Sequence, residues 1–214
     1  MTGTQRARDT SADVAGLLLA AGGGRRLGGR PKALLEHRGA LLVERAAEAL
    51  RAGGCGRVHV VLGAGADQVR ARARLPGCVL VDSPHWEQGM GASLRAGLAS
   101  LAGTGARAAL VLLVDQPGIG ERAVRRVLEA GLAEGPSALP GALVLATYAG
   151  VRGHPVLFGR AHWAGIAARA EGDQGARAYL REREAEVAPV DCADVADPHD
   201  IDTEADLARL RPGR

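Results

Sequence analysis

Residues 14–32 read VAGLLLAAGGGRRLGGRPK, an apolar run followed by three glycines and a cluster of cations. A continuous apolar run is typical of a buried parallel strand, and Gly22-Gly23-Gly24 would end it in a tight loop. Small residues let backbone amides approach phosphate groups, and Arg26 and Lys32 can neutralise the charge of those groups. The pattern predicts a strand and loop that bind a triphosphate; the alternative is a flexible surface turn.

Two familiar phosphate-binding motifs do not fit this loop. A P-loop needs Gly-Lys-Ser or Gly-Lys-Thr at the start of a helix, whereas Lys32 stands between Pro31 and Ala33. The dinucleotide-binding fingerprint needs the spacing G-x-G-x-x-G, but Gly22, Gly24 and Gly28 give G-x-G-x-x-x-G. A dinucleotide-binding oxidoreductase is therefore the least favoured class of enzyme.

Outward from the loop, apolar runs alternate with amphipathic segments. Strands are predicted at 14–21, 57–62, 79–81, 108–114, 141–147 and 155–158. Helices are predicted at 41–52, 66–73, 90–101, 121–133, 174–183 and 203–210. This order predicts an α/β fold, a three-layer sandwich with a Rossmann-like, mostly parallel sheet. Ligands of such sheets bind at the carboxyl ends of the strands, so Gly22 and Asp115 are expected at the same edge.

Composition narrows the classes of protein that are compatible with the chain. The 214 residues suit one domain, and we expect a disordered tail at 1–13 followed by a single domain at 14–214. The net charge of +3 comes from arginines spread along the chain, without the dense basic run of a nucleic-acid surface. No apolar run is long enough to span a membrane. Three widely spaced cysteines argue against disulfides and favour the cytoplasm.

The loop resembles the signature of the molybdenum cofactor cytidylyltransferases, a MobA-like group of nucleotidyltransferases, through Leu19-Ala20-Ala21-Gly22, Arg26, Gly28 and Pro31-Lys32. Further blocks follow in that family's order: Gly89-Met90-Gly91-Ala92-Ser93-Leu94, Asp115-Gln116-Pro117, Gly153-His154-Pro155, Gly172-Asp173-Gln174-Gly175-Ala176-Arg177 and Asp200-Ile201-Asp202-Thr203. The resemblance covers about 14–210. It implies Mg²⁺-dependent transfer of CMP from CTP to molybdopterin, which yields molybdopterin cytosine dinucleotide and pyrophosphate. Gly24 and the doubled Gly28-Gly29 depart from the family's usual Ser and single Gly.

The resemblance also implies roles for individual residues. Nucleotide binding falls to Leu19, Ala20, Ala21, Gly22, Gly23, Gly24, Arg26, Lys32, Gly91 and Ser93. Catalysis falls to Arg26, Lys32 and Asp115, and the metal to Asp115 and Asp202. The acceptor is assigned to His154, Asp173, Gly175 and Arg177.

The residues themselves leave some of these roles open. Asp115 follows the most apolar run, where its carboxylate could ligate a cation or cap a turn. Asp200 and Asp202 lie two apart in an extended segment, so only one can face the site. We favour Asp202, although it could instead cap a following helix. His154 could contact the acceptor or be purely structural.

Substrate choice also has alternatives. The Leu-Ala-Ala-Gly form of the loop, with Ala21, resembles CTP users, whereas GTP users tend to carry Leu-Ala-Gly-Gly. A guanylyltransferase, or another cofactor or sugar nucleotidyltransferase of the same fold, is the alternative enzyme. A non-catalytic carrier that binds the cofactor and hands it to an apo-enzyme is the alternative from another class. The resemblance also implies transient contact with a molybdoenzyme or its chaperone.

Overall fold

The computed structural model describes residues 13–210, and in this part of the chain a seven-stranded sheet lies between two layers of helices. The strands are β1 (Val14–Ala20), β2 (Glu36–His37), β3 (Ala40–Leu41), β4 (Val58–Leu62), β5 (Val79–Asp82), β6 (Ala108–Leu113), β7 (Leu143–Tyr148), β8 (Val151–Gly159) and β9 (Val187–Asp191). The helices are α1 (Leu42–Ala52), α2 (Ala66–Arg72), α3 (Met90–Leu101), α4 (Glu121–Gly131), α5 (Trp163–Arg169) and α6 (Arg177–Glu182). The small strands β2 and β3 form a separate hairpin.

The sheet has the order β5-β4-β1-β6-β8-β7-β9. All neighbouring pairs are parallel except those that involve β8, which runs antiparallel to β6 and to β7. The central pair β1 and β6 is in register from Val14 and Ala108 to Leu19 and Leu113. Their carboxyl ends therefore lie side by side, as the sequence predicted. The α/β fold with a mostly parallel sheet is confirmed.

The alternation of side chains along β1 divides the core into two parts. Leu18 and Ala20 face one side, where they pack with residues of α1 and α4. Leu17 and Leu19 face the other side, where they pack with residues of α3, α5 and α6. A strand buried on both faces must be apolar at every position, which explains the continuous apolar run at 14–21.

Several elements differ from the sequence prediction. The predicted helix at 203–210 is only a 3₁₀ turn at Asp206–Leu210. The carboxylate of Asp206 accepts hydrogen bonds from the backbone amides of Asp202 (3.2 Å) and Thr203 (2.8 Å), and this local turn replaces the start of an α-helix. The predicted helix at 174–183 begins only at Arg177, after a 3₁₀ turn at Gly172–Gln174.

Other elements were not predicted at all. Sequence analysis missed α5, β9 and the β2–β3 hairpin, which are short and lack a strong apolar period. The predicted tail at 1–13 lies outside the described residues except for Asp13, whose carbonyl accepts a hydrogen bond from the amide of Arg107 at 2.7 Å. No helix within 13–210 is long and apolar enough to cross a membrane.

Candidate active site

The glycine loop folds into a compact turn at the carboxyl end of β1. The carbonyl of Gly24 accepts hydrogen bonds from the amides of Leu27 (2.8 Å) and Gly29 (3.0 Å), and the buried Leu27 anchors the turn. Gly24 has φ 58°, and a Cβ at this position would lie 2.0 Å from the carbonyl oxygen of Arg30. Only glycine fits this conformation. The loop therefore holds Arg26 at its exposed rim.

Lys32 joins the glycine loop to two carboxylates from distant parts of the chain. Its Nζ donates a hydrogen bond to Asp115 at 2.6 Å and another to Asp202. The backbone supports the same arrangement, because the amide of Ile201 donates to the carbonyl of Asp115 at 2.8 Å. Arg26 adds a longer ion pair of 3.4 Å to Asp202. Three of the predicted site residues thus meet in one cluster, with a fourth at its edge.

Lys32 is the only lysine in a chain with 27 basic residues. Its side chain is 13% exposed and that of Asp115 is 19% exposed. Burial lowers the pKa of Lys32, but the charges and hydrogen bonds of Asp115 and Asp202 outweigh burial, so the pKa lies above its usual value. The ammonium group is therefore fully charged at neutral pH. A compact cation with three donors suits this narrow space better than a planar guanidinium group does.

The structure separates Asp200 from Asp202. Asp200 accepts a hydrogen bond of 2.8 Å from Nε2 of Gln116, whereas Asp202 faces Lys32. Burial and the charge of Asp115 raise the pKa of Asp200 above its usual value. The carboxylate of Asp202 caps no helix, since Asp206 accepts the local amide hydrogen bonds instead. Of the two acids, Asp202 belongs to the cluster.

The donor set fits a hard divalent cation that is shared with a substrate. Asp115 and Asp202 both contact one ammonium group, so their oxygens already converge. Within 13–210 no group of three or more His, Cys, Asp or Glu side chains could form a complete protein cage for a metal. Mg²⁺ commonly binds through one or two carboxylates plus water and substrate phosphates, so a pair of acids is sufficient.

The start of α3 packs directly on the segment that precedes α6. A Cβ on Gly89 would lie 2.5 Å from the carbonyl carbon of Gly172, and one on Gly91 would lie 2.6 Å from that of Ala170. These glycines therefore allow two backbone segments to touch. Ser93 is buried and its hydroxyl lies 3.4 Å from that of Ser83. Close packing alone accounts for glycine at 89 and 91, and nucleotide contact by Gly91 and Ser93 remains a prediction.

The four predicted acceptor residues lie on two segments, β8 and the turn that leads into α6. Asp173 and Gly175 belong to the turn against α3, and Gly175 has φ 54°. Arg177 opens α6 and is exposed. Removal from water and the charge of Arg177 lower the pKa of His154 to about 4, so its ring is neutral at pH 7. The charge of Arg177 thus affects His154, and contact of both residues with one acceptor remains a prediction.

Sequence analysis missed one large side chain at the loop. Trp86 lies in a 3₁₀ turn after β5, and its ring fills the space above Gly63 and Gly23. A Cβ on Gly63 would lie 2.5 Å from Cγ of Trp86, and one on Gly23 would lie 3.0 Å from the ring. The scarcity of aromatic residues, 2% of the chain, was the signal that could have drawn attention to it.

The sequence matches a known family over most of its length. A model of the MobA-like NTP transferase domain matches residues 16–187. The nicotine blue oxidoreductase of Paenarthrobacter nicotinovorans is 42% identical over 204 residues, which cover 92% of this chain and 96% of that protein.

Solved structures agree with this match. A homolog of Mycobacterium tuberculosis Rv0371c from Mycobacterium sp. strain JC1 superposes with a TM-score of 0.77 at 30% identity, covering 93% of this chain and 95% of that one. The manganese complex of Rv0371c from M. tuberculosis H37Rv superposes with a TM-score of 0.73 at 30% identity, covering 92% and 97%. These similar structures thus include one solved as a complex with manganese.

Proposed function

Since the chain belongs to the MobA-like NTP transferase family, we propose that it transfers CMP from CTP to molybdopterin, giving molybdopterin cytosine dinucleotide and pyrophosphate. The main support for this proposal is the position of Lys32. It links the glycine loop to Asp115 and Asp202 at the carboxyl ends of β1 and β6. Nucleotidyl transfer needs this combination of cations and metal-binding carboxylates beside a phosphate loop.

In this mechanism the terminal phosphate of the acceptor attacks the α-phosphorus of CTP, and the bond to pyrophosphate breaks. The protein's part is to position the reactants and to stabilise charge. Lys32 and Arg26 would neutralise the leaving pyrophosphate. Asp115 and Asp202 would hold Mg²⁺, which supplies positive charge to the phosphate oxygens when it is bound.

The proposed base choice rests on Ala21. This residue is 5% exposed and lies where the glycine loop leaves β1. We propose that a methyl group here narrows the space beside the base relative to glycine. We propose that this favours the smaller cytosine ring over guanine, and guanylyl transfer is the alternative.

Acceptor binding is proposed for Asp173, Gly175, Arg177 and His154. A neutral His154 can donate and accept one hydrogen bond each, while Arg177 offers a charge to a phosphate. We further propose a single domain at 14–214, a cytoplasmic location and transient contact with a molybdoenzyme or its chaperone. The three free cysteines, Cys55, Cys78 and Cys192, support a reducing compartment.

Pyrophosphate release tests substrate, base and metal together. Each of the four ribonucleoside triphosphates is supplied with Mg²⁺, Mn²⁺ or EDTA, with and without molybdopterin. We expect release from CTP only when molybdopterin and a metal are both present. Release from GTP alone would assign guanylyl transfer. Absence of release with all four nucleotides would contradict transfer to molybdopterin and favour a different acceptor or a carrier without catalysis.

A second candidate is oxidoreduction, because a relative of 42% identity is named nicotine blue oxidoreductase. The dinucleotide fingerprint is absent from the glycine loop, which counts against a conventional nicotinamide site. Oxidation of NADH or NADPH by a quinone-like dye, followed at 340 nm, checks this candidate. Turnover that survives in Lys32→Met would show that such an activity does not use the cluster at Lys32.

A further inference from the structure

Two adjoining cavities lie behind the candidate active site, between α1 and the start of α4. The first has a volume of about 530 Å³ and apolar walls from residues such as Ala46, Leu75 and Ile119. The second, of about 660 Å³, is lined by polar and charged residues. Arg45, Pro117, Gly120 and Glu121 line both cavities, so the two spaces adjoin. Each volume falls within the range of small-molecule sites, about 300–1,000 Å³.

The charges along these cavities are unbalanced. Every acid in their walls already has a partner: Glu48 pairs with Arg51, Glu121 with Arg125 and Asp197 with Arg209, while Glu44 accepts two backbone amides. By contrast, some arginines of the walls form no ion pair with any residue of the described part of the chain. These arginines are Arg38, Arg45, Arg74 and Arg122. The cavity walls therefore carry positive charges that no acidic side chain of the described residues neutralises.

Two polar atoms in the same walls lack hydrogen-bond partners. Among the described residues, Nε of Arg45 and Oε1 of Gln116 are the buried side-chain nitrogen and oxygen atoms that have no hydrogen-bond partner. Gln116 is 9% exposed, and its Nε2 donates to Pro198 and to Asp200, which fixes its orientation. Buried polar groups are nearly always satisfied, so the orphaned Nε donor of Arg45 indicates a missing acceptor, as an anion would supply. Oε1 of Gln116 is itself an acceptor and needs a donor, so only the Arg45 atom supports an anion.

The start of α4 adds further donors. This helix of 11 residues begins after Gly120, and no side chain caps its first amides. Free amides at a helix start attract anions. Gly120 lines both cavities, so these amides and Arg45 lie along the same walls.

We propose that the two cavities form one binding site for an amphiphilic anion, with a phosphate or carboxylate head group and an aliphatic body. The head group would bind at Arg45, Arg122 and the start of α4. The body would fill the apolar cavity, whose walls contain no aromatic ring within the described residues. This site is separate from the nucleotide loop, and it touches Gln116, the neighbour of Asp115.

Calorimetry with decyl phosphate below its critical micelle concentration tests the site. Inorganic phosphate supplies the head group alone, and decyl glucoside supplies an uncharged amphiphile with the same chain. Decanoate distinguishes a carboxylate head group from a phosphate. We expect one saturable site for decyl phosphate or decanoate, with affinity at least about tenfold above that for either control.

Three variants locate the binding. Arg45→Gln should weaken the binding of decyl phosphate about tenfold or more. Arg122→Gln, at an exposed position, tests the same head-group site if Arg45→Gln fails to fold. Ala46→Leu narrows the apolar cavity and should weaken the binding of decyl phosphate without changing the binding of inorganic phosphate. Arg72→Gln, on the exposed face of α2, is the matched control and should bind as the unaltered protein does. Absence of saturable binding, equal binding of decyl glucoside, or equal losses in Arg72→Gln and Arg45→Gln would overturn the proposal.

Discussion

Replacing Lys32 by Met keeps most of the unbranched side chain and removes the charged amino group that links Asp115 to Asp202. Hydrogen bonds to charged groups contribute about 1.5–3 kcal/mol each. The side chain of Asp202 is 40% exposed, so water screens most of the contribution that its ion pair with Lys32 makes to stability. Asp115, at 19% exposure, would lose its ammonium partner in a poorly solvated place. We expect the free energy of unfolding to fall by about 2 kcal/mol, measured by urea denaturation at pH 7.

The same substitution should reduce nucleotidyl transfer. Removing one preorganised charged donor from a developing anion typically lowers kcat about 10²–10³-fold. Pyrophosphate release from CTP with molybdopterin measures this, and Arg72→Gln serves as the control for both readouts. A variant that loses about 2 kcal/mol of stability yet keeps its kcat and KM would refute a role of Lys32 in charge stabilisation and leave it a structural residue.

Further substitutions test other parts of the site. Gly24→Ala places a Cβ 2.0 Å from the carbonyl oxygen of Arg30 at a positive φ, so the loop must open. We expect the KM for the nucleotide to rise and the Tm to fall, since the clash is with backbone. Asp200→Asn should raise the Tm by about 2 °C at pH 7. Because the pKa of Asp200 is raised in the folded protein, its carboxyl group costs stability increasingly as the pH rises above the pKa in the unfolded chain, about 4, so this gain should vanish below about pH 4. Gly63→Ala forces Trp86 to move, so thermal unfolding should begin several degrees lower and tryptophan fluorescence should shift.

The central part of the fold was predictable because it depends on local patterns. A strand buried on both faces must be continuously apolar, and an amphipathic helix must repeat its apolar residues, so β1, β6 and α3 could be placed within one or two residues. The rule that ligands bind at the carboxyl ends of parallel strands then brought Gly22 and Asp115 together. Each of these inferences needs only neighbouring residues.

The remaining features depend on contacts that no local pattern records. Asp202 and Lys32 are 170 residues apart, and the choice of Asp202 over Asp200 follows from the hydrogen bond between Asp200 and Gln116. The helix expected at 203–210 is lost because the side chain of Asp206 satisfies the amides that would begin it. The close packing of Gly89 against Gly172 likewise requires glycine at position 89. The spacing of glycines in the sequence cannot distinguish this packing requirement from ligand binding.

Because the chain has a single lysine, the chemical reactivity of Lys32 can be used to monitor the candidate active site. Acetic anhydride and other amine-directed reagents react with unprotonated amines, and apart from the α-amino group Lys32 is the one primary amine in this chain. Its ion pairs keep it protonated and therefore slow to react. A divalent metal that takes over Asp115 and Asp202 would free the ammonium group and accelerate acylation. Mass spectrometry of one peptide would then follow the competition between metal and lysine for the same two carboxylates.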